Sequence, residues 1–264
     1  MEPGDILDGR YEVRNIWRRV ALLLDLSTGR YSVARPATGF ASLAAVERLR
    51  GVVHPCLPRV LGEAGEEAGR LILFEYLHGI DLETHVRRAG GALDVRRAGA
   101  VGLSMARTLC FLHESLDRPL VHLDIKPEHV ILSGGVPCLI DFGAAVLLEG
   151  ERSAPVADPG TQIRESTPVY AAPEMNVWHG PCVQSDIYSL GVTLFAVLGG
   201  GLPGPGRLPD LRDLPGGDES AALREVVGRC LLADPAARYP SMAALAGALA
   251  AAGADAAMCT DGWI

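Results

Sequence analysis

The stretch His122-Leu-Asp-Ile-Lys-Pro-Glu-His129 carries the single lysine among the 24 lysine and arginine residues of the chain. A coding bias toward arginine accounts for that ratio by itself. It does not account for where the exception falls, two residues after an aspartate and directly before a proline, in a segment that reads as a catalytic loop. Lysine is a compact point charge on a flexible stem and arginine a planar fork, so a site shaped for one rejects the other. Lys126 is therefore the residue from which the rest of the chain is read.

Upstream of that stretch, strand-like alternation predicts strands at residues 11–13, 20–24 and 31–34, the last after the turn Ser27-Thr-Gly29. Residues 41–50 have helical apolar spacing, and 60–61 and 71–74 read as two further strands. From residue 80 the character changes. Helices are predicted over 82–88, 95–114, 185–198, 221–231 and 241–252, broken by Gly/Pro-rich loops, of which 199–217 is the longest. The expected class is α+β and bilobal, with a small β-rich lobe at about 9–77 and a larger α-helical lobe at about 80–252. The lobes form one domain over 1–252 and leave a C-terminal tail at 253–264.

At 264 residues, 48% of them hydrophobic, the chain is long enough for one large domain or two lobes with a packed core. The net charge of −8 argues against nucleic acid or an anionic membrane as partner, since both select basic surfaces. Six cysteines without a C-x-x-C pair read as free thiols in a reducing compartment rather than a zinc framework. The N-terminus lacks a basic region followed by an apolar one, and no apolar run is long enough to span a bilayer, so a cytoplasmic protein is expected.

The motifs resemble the protein kinase superfamily, and more narrowly its bacterial serine/threonine branch, over about residues 9–252. His122-Leu-Asp124-Ile-Lys126-Pro resembles the catalytic loop H-R-D-x-K-P, and Asp141-Phe-Gly143 resembles the metal-binding D-F-G. Ser166-Thr-Pro-Val-Tyr-Ala-Ala172-Pro-Glu174 is similar to the end of the activation segment. Ser185-Asp186-Ile-Tyr-Ser-Leu-Gly191 and Asp234-Pro-Ala-Ala-Arg238 match two late motifs. Any one of these is weak alone, but five in order are specific for the fold. The resemblance implies ATP and Mg²⁺ as cofactors and a protein as substrate or partner. It implies that Asp124 accepts the substrate hydroxyl proton, Lys126 sits beside the transferring phosphate, and Asp141 holds magnesium. Thr167, Glu174, Asp186 and Arg238 would be structural, with Glu174 and Arg238 tying the activation segment to the late helices. Val20, Ala34 and Ile131 would enclose an adenine ring, Phe74 would close the rear, and Glu75-Tyr-Leu77 would offer hinge backbone groups. The same residues are also what any such fold buries as core.

The pattern fails in the small lobe. Asn15-Ile-Trp-Arg-Arg-Val20 stands where a G-x-G-x-x-G loop should cradle phosphate, and it has no glycine. Arg35 replaces the phosphate-gripping lysine. The helix glutamate that should pair with that lysine, nine residues before His54-Pro55, is Ala45, and Glu47 lies about 200° around the helix from it. His129 stands where an asparagine should bind a second magnesium. Imidazole suits softer metals, so His129 reads as a hydrogen-bonding loop residue rather than a ligand. Leu123 replaces the loop arginine that meets a phosphorylated activation segment, and 200–221 is short for a substrate-docking helix. The resulting expectation is a pseudokinase acting as a regulatory or binding module. The rival is an active, atypical serine/threonine kinase. A small-molecule phosphotransferase fits less well, because such enzymes lack the A-P-E segment and its Arg238 partner.

Overall fold

A computed structural model of the chain describes residues 1–17, 19–65, 69–149, 168–176, 180–200, 209–214 and 217–259. The small lobe is one antiparallel sheet built from β1 (Ile6–Leu7), β2 (Tyr11–Trp17), β3 (Val20–Asp25), β4 (Tyr31–Pro36), β5 (Val60–Ala64) and β6 (Leu71–Glu75). Their spatial order is β1-β2-β3-β4-β6-β5. The two-residue period decides what each face does. Val13, Ala21, Leu23, Ala34, Leu71 and Leu73 form a small core of their own on one face. Val33, Ile72 and Phe74, on the other face, join the main core of the molecule.

The helix expected over 41–50 is α1 (Leu43–Arg48), only six residues long. Ser42 caps its start by accepting the Ala45 N–H, and Gly51, at φ 78°, stands just beyond its tightened last turn. In the large lobe α2 (Leu82–Arg88) and α3 (Val95–Cys110) begin on the aspartate caps Asp81 and Asp94. Next come α4 (Val183–Phe195), α5 (Asp218–Cys230) and α6 (Met242–Ala251). α3 is buried along most of its length and packs on α4 and α6. The main core runs without interruption from Val46 and Leu49 through Phe74 into Leu103, Leu109 and Leu190.

Besides β1, five short strands escaped the reading of the sequence: β7 (Gly79–Asp81), β8 (Leu120–Val121), β9 (Val130–Ser133), β10 (Val136–Leu139) and β11 (Val146–Leu147). They form the ladders β10-β9-β7 and β11-β8. β8 ends directly before His122 and β9 starts directly after His129, so the lysine-bearing stretch is a loop pinned at both ends. Gly79 is required where the lobes join, because a Cβ there would lie 2.1 Å from the Leu132 carbonyl oxygen. Beyond α6 the chain turns at Gly253 and packs Ala254 and Ala256 against the main core. Cys56, Cys110, Cys138, Cys182 and Cys230 are free thiols, with Cys56 and Cys110 half-buried. Burial pushes the Cys138 and Cys230 thiols up to about 12, which leaves them unreactive. Among the described residues no helix is long and apolar enough to cross a membrane.

Candidate functional site

The pinned loop is shaped from beneath by one carboxylate. Asp186 on α4 is fully buried and accepts the backbone N–H groups of His122 and Leu123, both at 2.8 Å. His113 Nε2 lies 2.9 Å from the same carboxylate. These bonds hold Leu123 at φ 66°, a conformation that an L-residue otherwise avoids. His122 Nε2 donates to the Ile140 carbonyl (3.1 Å), so its Nδ1 is free to accept the Asp124 N–H (3.3 Å). Burial pushes the His122 imidazole below its ordinary range and keeps it neutral.

The loop brings Asp124 and Lys126 together, with Lys126 Nζ 2.9 Å from Asp124 Oδ2. His129 Nδ1 donates to the Asp124 carbonyl at 2.8 Å, and its Nε2 stands 3.4 Å from Asp141 Oδ2. Burial lowers the affinity of His129 for a proton by more than Asp141 and Asp124 raise it, so this ring too is neutral.

Asp141 sits at φ 64° and accepts the Gly143 N–H at 3.1 Å. Its Oδ1 forms an ion pair with the Arg35 guanidinium, which reaches across from β4. Arg35 passes over the Phe40 ring, 5.4 Å from its centroid. It rests where a side chain at 143 would be, since a Cβ there would lie 2.3 Å from Arg35 Nη2. The Ala41 N–H closes the arrangement by donating to the Gly143 carbonyl at 2.7 Å. On α1 the position where a partner carboxylate is expected is Ala45, which is fully buried. Glu47 points away and pairs with Arg50 Nη2 at 3.0 Å.

A cavity of about 170 Å³ opens between the sheet and β9. Val20, Arg35, Phe74, Glu75, Leu77 and Ile131 line it, together with Val33, Phe40 and Ile140. Ala34 does not. It is buried in the small core on the opposite face of β4, and Val33, on the same face as Arg35, takes its place. The reading was one residue out of step in a structure whose period is two. Counting back by two from Arg35 would have found Val33; Phe40, in an irregular segment, left no such signal. The Glu75 carboxylate is gripped by Arg59 (3.1 and 3.2 Å), while Tyr76 and Leu77 belong to no strand ladder. Above the cavity Trp17 pairs with Val20, so β2 and β3 are joined by a two-residue turn, of which Arg18 lies outside the described residues.

Behind the site, Arg238 and Glu174 form a buried bidentate pair at 2.8 and 2.8 Å. The remaining Arg238 donors reach the carbonyls of Leu232, Gln184 and Ala233. Thr167 lies outside the described residues.

The apolar cavity fits a flat ring such as adenine. The donor set does not fit magnesium, which demands near-octahedral oxygen ligation. One oxygen of Asp141 carries the Arg35 cation and the other faces an imidazole nitrogen. Among the described residues no group of three His, Cys, Asp or Glu side chains is arranged to hold a metal ion.

A protein kinase domain model matches residues 41–246. Serine/threonine-protein kinase PBL36 of Arabidopsis thaliana is 33% identical over 159 residues, covering 60% of this chain and 33% of that protein. Serine/threonine-protein kinase pkn2 of Myxococcus xanthus is 34% identical over 167 residues, covering 61% of this chain and 19% of that protein. The chain thus aligns with about a third of the one and a fifth of the other. The solved PknI kinase domain of Mycobacterium tuberculosis superposes with a TM-score of 0.69 at 22% identity, covering 96% of this chain and 99% of that one. A point mutant of the same domain superposes with a TM-score of 0.70 at 21% identity and the same coverage.

Proposed function

This chain belongs to the protein kinase domain family, and on that premise we propose that it is a pseudokinase of the serine/threonine type, a binding or regulatory module for a protein partner that does not turn over ATP. The observation that carries this reading is the Arg35–Asp141 ion pair. The side chain in the phosphate-gripping position and the one in the metal-binding position are spent on each other. The carboxylate that should hold a cation at position 35 in place is the buried Ala45. The two-residue turn between β2 and β3 offers no peptide cradle for phosphates.

Phosphoryl transfer depends almost wholly on positioning and charge neutralisation. Losing one preorganised contact of that kind commonly costs on the order of 10²–10³ in rate. Three are missing here, and although such losses do not simply multiply, turnover falls below a useful rate. Asp124 and Lys126 keep their geometry because Asp186, a scaffold residue, imposes it. In this reading Asp186, Glu174 and Arg238 serve the fold, and the cleft serves recognition.

The 2.9 Å Asp124–Lys126 pair favours a second reading, an active atypical kinase in which arginines replace the clamp. Incubation with ATP and either Mg²⁺ or Mn²⁺, alone and with a generic basic protein, separates the two. We expect no transferred phosphate. Transfer that disappears in Asp124→Asn would establish the active kinase instead.

A further inference from the structure

Charges around the cavity cancel in pairs. Arg35 lies on Asp141, Lys126 lies 2.9 Å from Asp124, and Arg59 lies 3.1 Å from Glu75. His129 stands between Asp124 and Asp141. A polyphosphate entering this cleft meets two carboxylates whose matching cations are already engaged, in a partly dry setting where charge interactions are strong. The divalent cation that normally offsets its charge finds Arg35 on the one aspartate it needs. No glycine-bearing turn offers backbone N–H groups in compensation.

What the cavity does offer suits an uncharged ring. Its volume is about 170 Å³, and an apolar cavity of about 150 Å³ is enough to hold benzene. Its walls come from Val33 on β4 and Ile131 on β9, with Phe74 behind. At one edge the peptide groups of Tyr76 and Leu77, outside any ladder, are placed to meet the donors and acceptors of a heterocycle.

We propose that this cleft binds a flat, uncharged heterocycle of the nucleoside class without a divalent cation, and that phosphate groups add nothing to its affinity. Arg35 acts as a built-in cation on Asp141 and displaces the metal. The inference rests on the pseudokinase reading but fails separately from it.

Titration calorimetry of the full chain with adenosine, AMP and ATP, each in excess Mg²⁺ and in EDTA, reads the affinities. Adenosine is expected to bind, AMP and ATP to bind no more than about threefold tighter, and EDTA to change none of them. Binding of ATP with Mg²⁺ about tenfold or more tighter than adenosine, loss of binding in EDTA, or failure of adenosine to bind overturns the proposal. Asp141→Asn gives the two models opposite signs. If Asp141 neutralises Arg35, removing the carboxylate leaves the guanidinium charge without that counterion and ATP gains about tenfold over adenosine. If Asp141 holds a metal, ATP with Mg²⁺ weakens, and the proposal is overturned. Should this variant not fold, the wild-type panel decides by itself. Metal-dependent ATP binding without phosphate transfer sinks only this inference, whereas transfer sinks the pseudokinase reading as well.

Discussion

The two walls of the cleft have the same ancestry of motifs and opposite fates. On the large-lobe wall every charged motif residue that is described has a partner inside the fold: Asp186 holds two backbone N–H groups, and Arg238 holds Glu174 and three carbonyls. On the small-lobe wall the motif positions that serve phosphate binding, directly or by holding the cation that does, are an arginine, an alanine and a glycine-free link. The walls differ in what each residue does for folding. Removing Asp186 or Arg238 unsettles the fold whether or not ATP is ever bound, whereas a phosphate-gripping lysine can be lost at no cost to it. An intact catalytic loop is therefore weak testimony for catalysis, because its shape is a by-product of a scaffold that the fold requires.

The comparison breaks most visibly at the buried ion pair. Glu174→Ala strands the Arg238 charge and is expected to cost about 3–5 kcal/mol, read as a lowered urea midpoint; a cost near zero would mean the large-lobe wall is not held as argued. Gly79→Ala, at the seam between the lobes, forces a methyl group against the Leu132 carbonyl and should cost about 1–3 kcal/mol.

The neutral imidazoles sharpen the picture through pH. His122 and His129 bind protons less readily when folded than at the ordinary value of 6.5. As pH falls through that value the unfolded chain takes up protons first. Stability is thus fully present above about pH 6.5 and declines below it, by up to about 1.4 kcal/mol per pH unit for each ring. Urea unfolding at about pH 7.5 and 5.5 measures the loss, and His129→Asn should reduce it. A surface contrast follows. Arg50→Ala removes exposed pairs to Glu47 and Glu63 and should change stability by less than about 1 kcal/mol. The smallest expected effect is also the most discriminating. Arg35→Lys should restore no phosphate transfer in a radiolabel assay, because Ala45 still offers no partner; measurable transfer would show the small-lobe deficit to be one residue deep.

Much of this was legible in the sequence. The order of motifs announced two lobes, and periodicity located most of α3, a long amphipathic helix that repeats its pattern often enough to be read. The strands from β7 to β11, two to four residues each, were not found, since so few residues hold no period. Ala34 was named because its residue type matched, whereas the two-residue period counted back from Arg35 leads to Val33. The Arg35–Asp141 pair joins positions 106 apart and has no local signature. The loss of the lysine and of its glutamate could be read; what the arginine does instead could not.

The short turn between β2 and β3 has a kinetic consequence. A long loop over a binding cleft acts as a door, so the rates of entry and exit become the rates at which the door moves. With Trp17 already paired to Val20, the link between these two strands is too short to be such a door. As far as this link sets the rates, observed association rates should rise linearly with ligand concentration and show no plateau.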